Sequence, residues 1–252
     1  FTSVNDIESI KRAIENAKYV KENPFADQHL GKNKTIMLIF FNSSLRTRLS
    51  TQKAALNLGM NAIVLDINQG AWKLETERGV IMDGDKSEHI LEAIPVIGSY
   101  CDIIGVRSFA KFEKKSDDYE EVIINQFIKY SGRPVISLES ATVHPLQSYA
   151  DLITIEEYKK CEKPKVVLTW APHPKSLPQA VANSFSEWMN RTDYEFVITH
   201  PKGYELDEKF VQGARVEYDQ EKAFEGADFI YAKNWSVYKD PNYGKILCND
   251  PD

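Results

Sequence analysis

Three short polar segments contain residue types that could bind a phosphoryl compound and stabilise negative charge. The first, Ser43-Ser44-Leu45-Arg46-Thr47-Arg48, lies between an apolar run and a helical pattern. Backbone N–H groups at a helix start, hydroxyl groups and guanidinium groups together favour phosphate binding. The same residues are also typical of an ordinary capped helix with two solvated arginines. Because the sequence contains neither a GxxxxGK[ST] nor a GxGxxG motif, it does not indicate a nucleoside triphosphatase or a dinucleotide-binding enzyme.

The second and third segments place further donors where predicted strands end. Arg107 follows the apolar residues Ile103–Val106, and His144-Pro145-Leu146-Gln147 lies in the loop after Val135–Ser137. In parallel α/β sheets, ligands bind at the carboxyl ends of the strands, so we expect the three segments to face one cleft. A strand-end arginine or a histidine beside proline is a weak signal by itself.

Taken together, the three segments resemble the transcarbamoylase family. Residues 44–48 are similar to its S-T-R-T-R carbamoyl phosphate motif, Arg107 stands in the place of its single downstream arginine, and residues 144–147 resemble its H-P-x-Q motif. The resemblance implies no metal and no other cofactor. It also implies a set of carbamoyl phosphate ligands, namely Ser44, Leu45, Arg46, Thr47, Trp72, Arg107, His144 and Gln147.

Within that family, the sequence resembles the branch that carbamoylates N-acylated ornithine. The resemblance rests on three segments, Trp72–Glu75, Met82–Asp85 and Leu168–Pro174. It implies that Trp72 reaches into the active site of a neighbouring subunit of a homotrimer. The alternative is that Trp72 is a partly exposed aromatic residue that packs locally.

Ser87 is the residue that could select the acyl group. At the matching position, acetyl-specific members typically have glutamate and succinyl-specific members have a small or neutral residue. A succinyl group carries an extra carboxylate, which a glutamate would repel and crowd. The resemblance therefore favours the succinyl substrate, with Ser87 also contributed to a neighbouring subunit's site. Ser87 could instead, or in addition, be the N-cap of the helix predicted over Ser87–Tyr100.

Three more residues match positions that bind the acylornithine in the family. Each is predicted to follow a strand, and they are Glu139, His173 and Lys233. A lysine such as Lys233, considered alone, is more typical of a solvated surface. Its order and spacing relative to the other motifs match the family, and this match suggests that it binds the acylornithine.

The resemblance implies transfer of the carbamoyl group from carbamoyl phosphate to the δ-amine of N-succinyl-L-ornithine. The expected products are N-succinyl-L-citrulline and phosphate, and the pathway is arginine biosynthesis. Arg107, His144 and Thr47 are expected to stabilise the charge that develops on the carbonyl oxygen, and Gln147 to orient the carbamoyl NH2. The alternatives are an N-acetylornithine carbamoyltransferase and a non-catalytic relative that binds phosphate or carbamoyl phosphate.

The elements that position these residues alternate along the chain. Short apolar strands and amphipathic helices follow one another, which predicts an α/β fold with two doubly wound parallel-sheet domains. We predict a carbamoyl phosphate domain at residues 1–148 and an acylornithine domain at residues 149–252, with the active site in the cleft between them. The family's H-C-L-P motif and final helix do not occur in the 252 residues, so we expect the second domain to lack its C-terminal part.

Composition narrows the possible partners and compartment. The net charge is −6, from 31 Lys and Arg against 37 Asp and Glu, and no local basic patch indicates nucleic acid or an anionic membrane. The three cysteines, Cys101, Cys161 and Cys248, are far apart and form no CxxC pair, which argues against disulfides and structural zinc. These features predict a cytoplasmic protein whose partners are small-molecule substrates and copies of itself.

Overall fold

The computed structural model describes residues 1–67 and 72–247, and the chain divides into two compact units. Unit 1 comprises residues 1–2, 18–109 and 120–140, and unit 2 comprises residues 3–17, 110–119 and 141–252. The predicted α/β fold is confirmed, because each unit contains a four-stranded parallel sheet. The predicted boundary after residue 148 lies within a helix, and the division into two functional domains at that point stays a prediction.

Unit 1 is built on a parallel sheet with the strand order β2-β1-β5-β6 and a separate two-stranded parallel ladder, β3-β4. Its elements are β1 (Thr35–Phe40), α2 (Leu45–Asn57), β2 (Asn61–Asp66), β3 (Leu74–Glu75), β4 (Glu88–His89), α3 (Ile90–Ser99), β5 (Ile103–Arg107), α5 (Val122–Tyr130) and β6 (Val135–Glu139). Helix α1 (Ile10–Glu22) is divided between the units at residue 17.

The central strands of unit 1 are apolar on both faces, as expected for a parallel sheet covered by helices. Ile36–Phe40 of β1 are all buried, and Ile104 and Val106 of β5 lie beside them in the same core. Polar side chains are therefore excluded from the middle of these strands. They collect at the strand ends, where the chain leaves the sheet.

Unit 2 has a sheet with the strand order β10-β7-β8-β9. Its elements are a 3₁₀ helix (Val4–Asp6), α4 (Lys115–Tyr119), α6 (Pro145–Tyr158), β7 (Lys165–Trp170), α7 (Ala180–Met189), β8 (Glu195–Thr199), α8 (Glu208–Val211), β9 (Arg215–Val216), α9 (Gln220–Phe224) and β10 (Phe229–Lys233). No helix within the described part of the chain is long and apolar enough to cross a membrane.

Two predicted helix starts are wrong. Helix α6 begins at Pro145 rather than at Leu152, because proline at the first helical position has its φ angle already set for a helix and needs no N–H partner there. Helix α3 begins at Ile90, and its N-cap is His89, whose Nδ1 accepts a hydrogen bond from the Leu91 N–H at 3.1 Å. Ser87 is therefore not the N-cap of this helix.

Helix α7 buries a carboxyl group without a full set of partners. Glu187 has one oxygen, Oε2, that is buried and has no hydrogen-bond partner within the described residues. Burial raises the pKa of Glu187 to about 7, although the nearby Lys209 opposes this effect. The folded chain therefore binds a proton at Glu187 more tightly than the unfolded chain does.

We expect the Glu187→Gln variant to be more stable than the parent at pH 8, by about 1–2 kcal/mol after allowance for partial solvent screening. A carboxyl with a raised pKa stabilises the fold most at low pH, and that contribution is lost as the pH rises through about 7. Urea unfolding at pH 5 and pH 8 measures the difference. Glu162→Gln, at an exposed carboxylate, is the matched control, and an equal pH slope in the parent and in Glu187→Gln would contradict the assignment.

Candidate functional site

The segment between β1 and α2 forms a capped helix start. Ser44 is the N-cap of α2: its Oγ accepts the Thr47 N–H at 3.3 Å and lies 3.0 Å from the Thr47 hydroxyl. The side chains of Leu45 and Arg46 are exposed in the first turn. The predicted cap is thus confirmed, although only Arg46 of the two arginines is a solvated one. The cap is compatible with an anion site because the same turn presents N–H groups and hydroxyls.

The two arginines of this segment have different surroundings. The guanidinium of Arg48 binds Asp66 at the end of β2 and lies 5.2 Å from the centre of the Phe40 ring. Arg46 is exposed, with no such ion pair within the described residues. Arg46 is therefore the better placed of the two to bind a phosphate.

Arg107 lies at the carboxyl end of β5 and contacts the segment directly. Strand β5 pairs with β1 so that Arg107 is opposite Phe40. From this position its Nη1 donates to the Asn42 and Ser43 carbonyl oxygens, both at 2.8 Å. Arg107 thus holds the chain that leads into the Ser44 cap.

Glu139 is the second partner of Arg107. It is the last residue of β6, and its Oε2 accepts a hydrogen bond from Arg107 Nη2 at 2.9 Å. Only 9% of the Arg107 side chain and 8% of the Glu139 side chain are exposed. Burial lowers the pKa of Arg107, while the Glu139 carboxylate raises it. Strand β6 extends to Glu139, so this residue lies at the strand end and not in the loop that the sequence predicts.

Further contacts complete the surroundings of Arg107. Its guanidinium lies 4.3 Å from the centre of the Phe109 ring, and the Phe109 N–H donates to Asn42 Oδ1 at 2.8 Å. Within the described residues, Arg107 Nε is buried and has no hydrogen-bond partner. Arg107 therefore binds protein atoms through three of its five N–H groups, and its Nε–H is among those left without a partner in the described part of the chain.

The β3–β4 ladder brings Trp72 and Ser87 together. The Ser87 N–H donates to the Lys73 carbonyl at 2.9 Å, and Trp72 Nε1 donates to a Glu88 carboxylate oxygen at 3.1 Å. The Trp72 side chain is 63% exposed, and Ser87 is exposed as well. The two residues predicted to serve a neighbouring subunit thus lie on one exposed loop pair of unit 1.

The remaining predicted residues belong to unit 2. His144 is the N-cap residue of α6, and Gln147 is exposed in its first turn. His173 follows β7, with the Lys175 backbone nitrogen 3.1 Å from its Nδ1. Lys233 is the last residue of β10, opposite Trp170 of β7, so it and His173 lie at the ends of adjacent strands.

The structure thus groups the predicted residues by unit. Those of unit 1 lie at the ends of β1, β5 and β6 and on the β3–β4 loops, and those of unit 2 lie at the ends of β7 and β10 and at the start of α6. Sequence reasoning missed Asn42 and Phe109, which contact Arg107. Asn42 and Phe109 gave no sequence signal, because they act through a backbone carbonyl and a ring face. Among the described residues, no group of three or more His, Cys, Asp or Glu is placed to bind a metal ion.

In chemical terms, unit 1 has N–H groups, hydroxyls and Arg46 in the first turn of α2, and the buried cation of Arg107 contacts the chain that leads into this turn. Such donors can hold a phosphoryl group and stabilise negative charge that develops on a neighbouring oxygen. No serine, cysteine or histidine in unit 1 is required as a nucleophile for a transfer between two bound substrates.

Comparison with known proteins places the chain among carbamoyl-transferring enzymes. A family model described as the carbamoyl-P binding domain of aspartate/ornithine carbamoyltransferase matches residues 1–157. The N-succinylornithine carbamoyltransferase of Bacteroides fragilis is 74% identical over 250 residues, which cover 99% of this chain and 79% of that protein. The enzyme of the same name from Bacteroides thetaiotaomicron is 72% identical, with the same coverage.

A solved structure agrees with these relatives. It is a glutamate-to-serine variant of N-acetyl-L-ornithine transcarbamylase complexed with carbamyl phosphate and N-succinyl-L-norvaline. The TM-score is 0.88 at 37% sequence identity, over 97% of this chain and 77% of that one.

Proposed function

We propose, given that this chain belongs to the aspartate/ornithine carbamoyltransferase family and is a carbamoyltransferase, that its acceptor substrate is N-succinyl-L-ornithine. The reaction yields N-succinyl-L-citrulline and phosphate and belongs to arginine biosynthesis. The observation that carries this proposal is the 74% identity to the N-succinylornithine carbamoyltransferase of Bacteroides fragilis. The serine at position 87 supports the succinyl group independently.

The phosphate of carbamoyl phosphate binds at the start of α2. The N–H groups of the first turn, the Ser44 and Thr47 hydroxyls, and the Arg46 guanidinium surround it. The helix dipole adds a partial positive charge at the same place. This arrangement binds the leaving group before and after transfer.

The neutral δ-amine attacks the carbonyl carbon, and a tetrahedral intermediate forms. As negative charge grows on the carbonyl oxygen, Arg107, His144 and Thr47 donate to it. Asn42, Ser43 and Glu139 take up three of the five Arg107 N–H groups, so the remaining N–H groups are available for this role. The intermediate then expels phosphate, which accepts the proton from the amine, so that no enzyme base is required. Gln147 orients the carbamoyl NH2.

The acceptor substrate binds through four of the predicted residues. We assign Glu139, His173 and Lys233 to its ornithine part and Ser87 to its acyl group. The Glu139 carboxylate also binds Arg107, so this residue connects the two substrate sites. In the solved structure, a serine in place of a glutamate accompanies a succinyl ligand, which supports the same role for Ser87.

Trp72 and Ser87 lead us to propose a homotrimer, and the free cysteines of the described residues lead us to propose a cytoplasmic location. Trp72 and Ser87 are exposed on the β3–β4 loops, from which they would reach the site of a neighbouring subunit. Among the cysteines within the described residues, Cys101 and Cys161 are unpaired, and Cys248 lies outside those residues. Analytical ultracentrifugation of the purified protein tests the trimer: a species with the mass of one chain, 28.8 kDa for the 252-residue sequence, would contradict it.

The function is tested by incubating the purified protein with carbamoyl phosphate and one of three amines: ornithine, N-acetylornithine or N-succinylornithine. We expect ureido product and phosphate in equal amounts, with the highest kcat/KM for N-succinylornithine. A preference for N-acetylornithine would contradict the substrate. Release of phosphate without ureido product would contradict carbamoyl transfer.

A further inference from the structure

Asp151 is a partly buried acid on α6, one helical turn after Gln147. Its Oδ1 accepts a hydrogen bond from Gln147 Nε2 at 2.9 Å. Residues four apart lie on the same face of a helix, and a Gln–Asp pair at this spacing is a favourable one. Because the helix begins at Pro145, both residues lie in its first two turns.

The pair determines which atom of the Gln147 amide faces away from α6. An ionised carboxylate can only accept hydrogen bonds, so the amide must turn its NH2 towards Asp151. The amide oxygen, Oε1, then points away from Asp151 and is available as an acceptor. The carbamoyl NH2 is a hydrogen-bond donor, so an acceptor such as Gln147 Oε1 can orient it. The reverse amide orientation would place two NH2 groups against each other.

Other groups of unit 2 surround the same carboxyl. Within the described residues, Asp151 Oδ2 is buried and has no hydrogen-bond partner of normal geometry, although the Tyr231 hydroxyl lies close enough to interact with the carboxyl. The Tyr231 ring stacks on Phe185, with 4.2 Å between ring centres. Burial raises the pKa of Asp151, while Gln147, Tyr231 and Lys233 lower it.

We propose that Asp151 is a positioning residue, which holds the Gln147 amide with its oxygen towards the carbamoyl NH2. The proposal rests on the proposed function, since it assigns a partner to Gln147 in that reaction. Asp151 does not contact the reacting atoms. It acts through Gln147, and its carboxyl lies near enough to Tyr231 and Lys233 of β10 to interact with them electrostatically.

The first test is a double-mutant cycle of Asp151→Asn and Gln147→Ala. Tyr231 and Lys233 are both donors, so we expect the introduced asparagine to turn its oxygen to them and its NH2 to Gln147. This reverses the glutamine amide and lowers kcat/KM for carbamoyl phosphate about tenfold. In the Gln147→Ala background, Asp151→Asn should cost less than twofold, because its effect passes through Gln147.

The second test reverses the sign of the effect. Gln147→Glu alone places two carboxylates side by side, which repel each other. Adding Asp151→Asn replaces one of them by an amide, whose NH2 can donate to the introduced glutamate. We therefore expect Asp151→Asn to lower kcat/KM in the parent but to raise it in the Gln147→Glu background. A residue with a purely structural role would lower it in both backgrounds. Glu157→Gln, at an exposed carboxylate of the same helix, is the matched control.

The outcomes separate this inference from the proposed function. If the parent protein carbamoylates none of the three amines, the proposed function fails. If the parent is active but the losses from Asp151→Asn and Gln147→Ala multiply, or if Asp151→Asn has the same sign in both backgrounds, the positioning role is overturned. Thermal melting of each variant verifies that every comparison is made on folded protein.

Discussion

The Arg107→Ala variant is expected to lose between about 10²- and 10³-fold in turnover and to unfold more easily than the parent. The loss of turnover follows because a donor to the developing oxyanion is removed. The loss of stability follows because Glu139 is left buried without its cation, which costs about 3–5 kcal/mol. The Asn42 and Ser43 carbonyls also lose their donor. Initial rates and urea unfolding measure the two effects.

Two further variants separate catalysis from folding at this position. Arg107→Ala combined with Glu139→Ala should regain part of the lost stability, because the Glu139 carboxylate is removed together with its cation, but should not regain turnover. Arg46→Leu should also remove most turnover, yet it should change stability by only about 0.5 kcal/mol, because Arg46 is exposed. Full turnover in Arg107→Ala and in Arg46→Leu would contradict the mechanism.

The Ser87→Glu variant is expected to move the kcat/KM preference from N-succinylornithine towards N-acetylornithine by about 10²- to 10³-fold. Two carboxylates about 4 Å apart near a protein surface repel each other by about 4 kcal/mol, and only the succinyl substrate carries the second carboxylate. The acetyl substrate has no such charge to be repelled. Competition between the two acylornithines in one reaction measures the ratio directly.

Because Ser87 does not cap α3, a change in substrate preference in this variant does not arise from a lost helix cap. His89 caps the helix, so substitution of Ser87 leaves the cap in place. The matched control is Ser87→Ala, which adds neither charge nor bulk and should retain the succinyl preference. An unchanged ratio in Ser87→Glu would show that this residue does not contact the acyl group.

Much of the fold and of unit 1 was predictable from the chain alone. The runs Thr35–Phe40 and Ile103–Arg107 are apolar and short, which is characteristic of strands covered on both faces. Burying a charged group in the middle of such strands is costly, so the Ser44 motif and Arg107 lie where the strands end. Local order in the sequence therefore determined which residues meet at that sheet edge.

Tertiary structure decided what those residues bind. The pairing of Arg107 with Glu139 joins residues 32 apart and depends on the register between β5 and β6, which shifts next to Arg107. No local spacing contains that information, because it arises only when separate strands align.

The Gln147–Asp151 contact also depends on tertiary structure. The spacing of four residues is visible in the sequence, but it predicts a contact only if both residues lie on one helix. The sequence pattern placed the helix start at Leu152, since the turn-forming residues 144–147 mask it, whereas the structure starts the helix at Pro145. The sequence by itself thus determined the family, the fold class and the residues at the strand ends. Packing alone decided which of their donors are already bound and which remain for a substrate, because those bonds form between segments far apart in the chain.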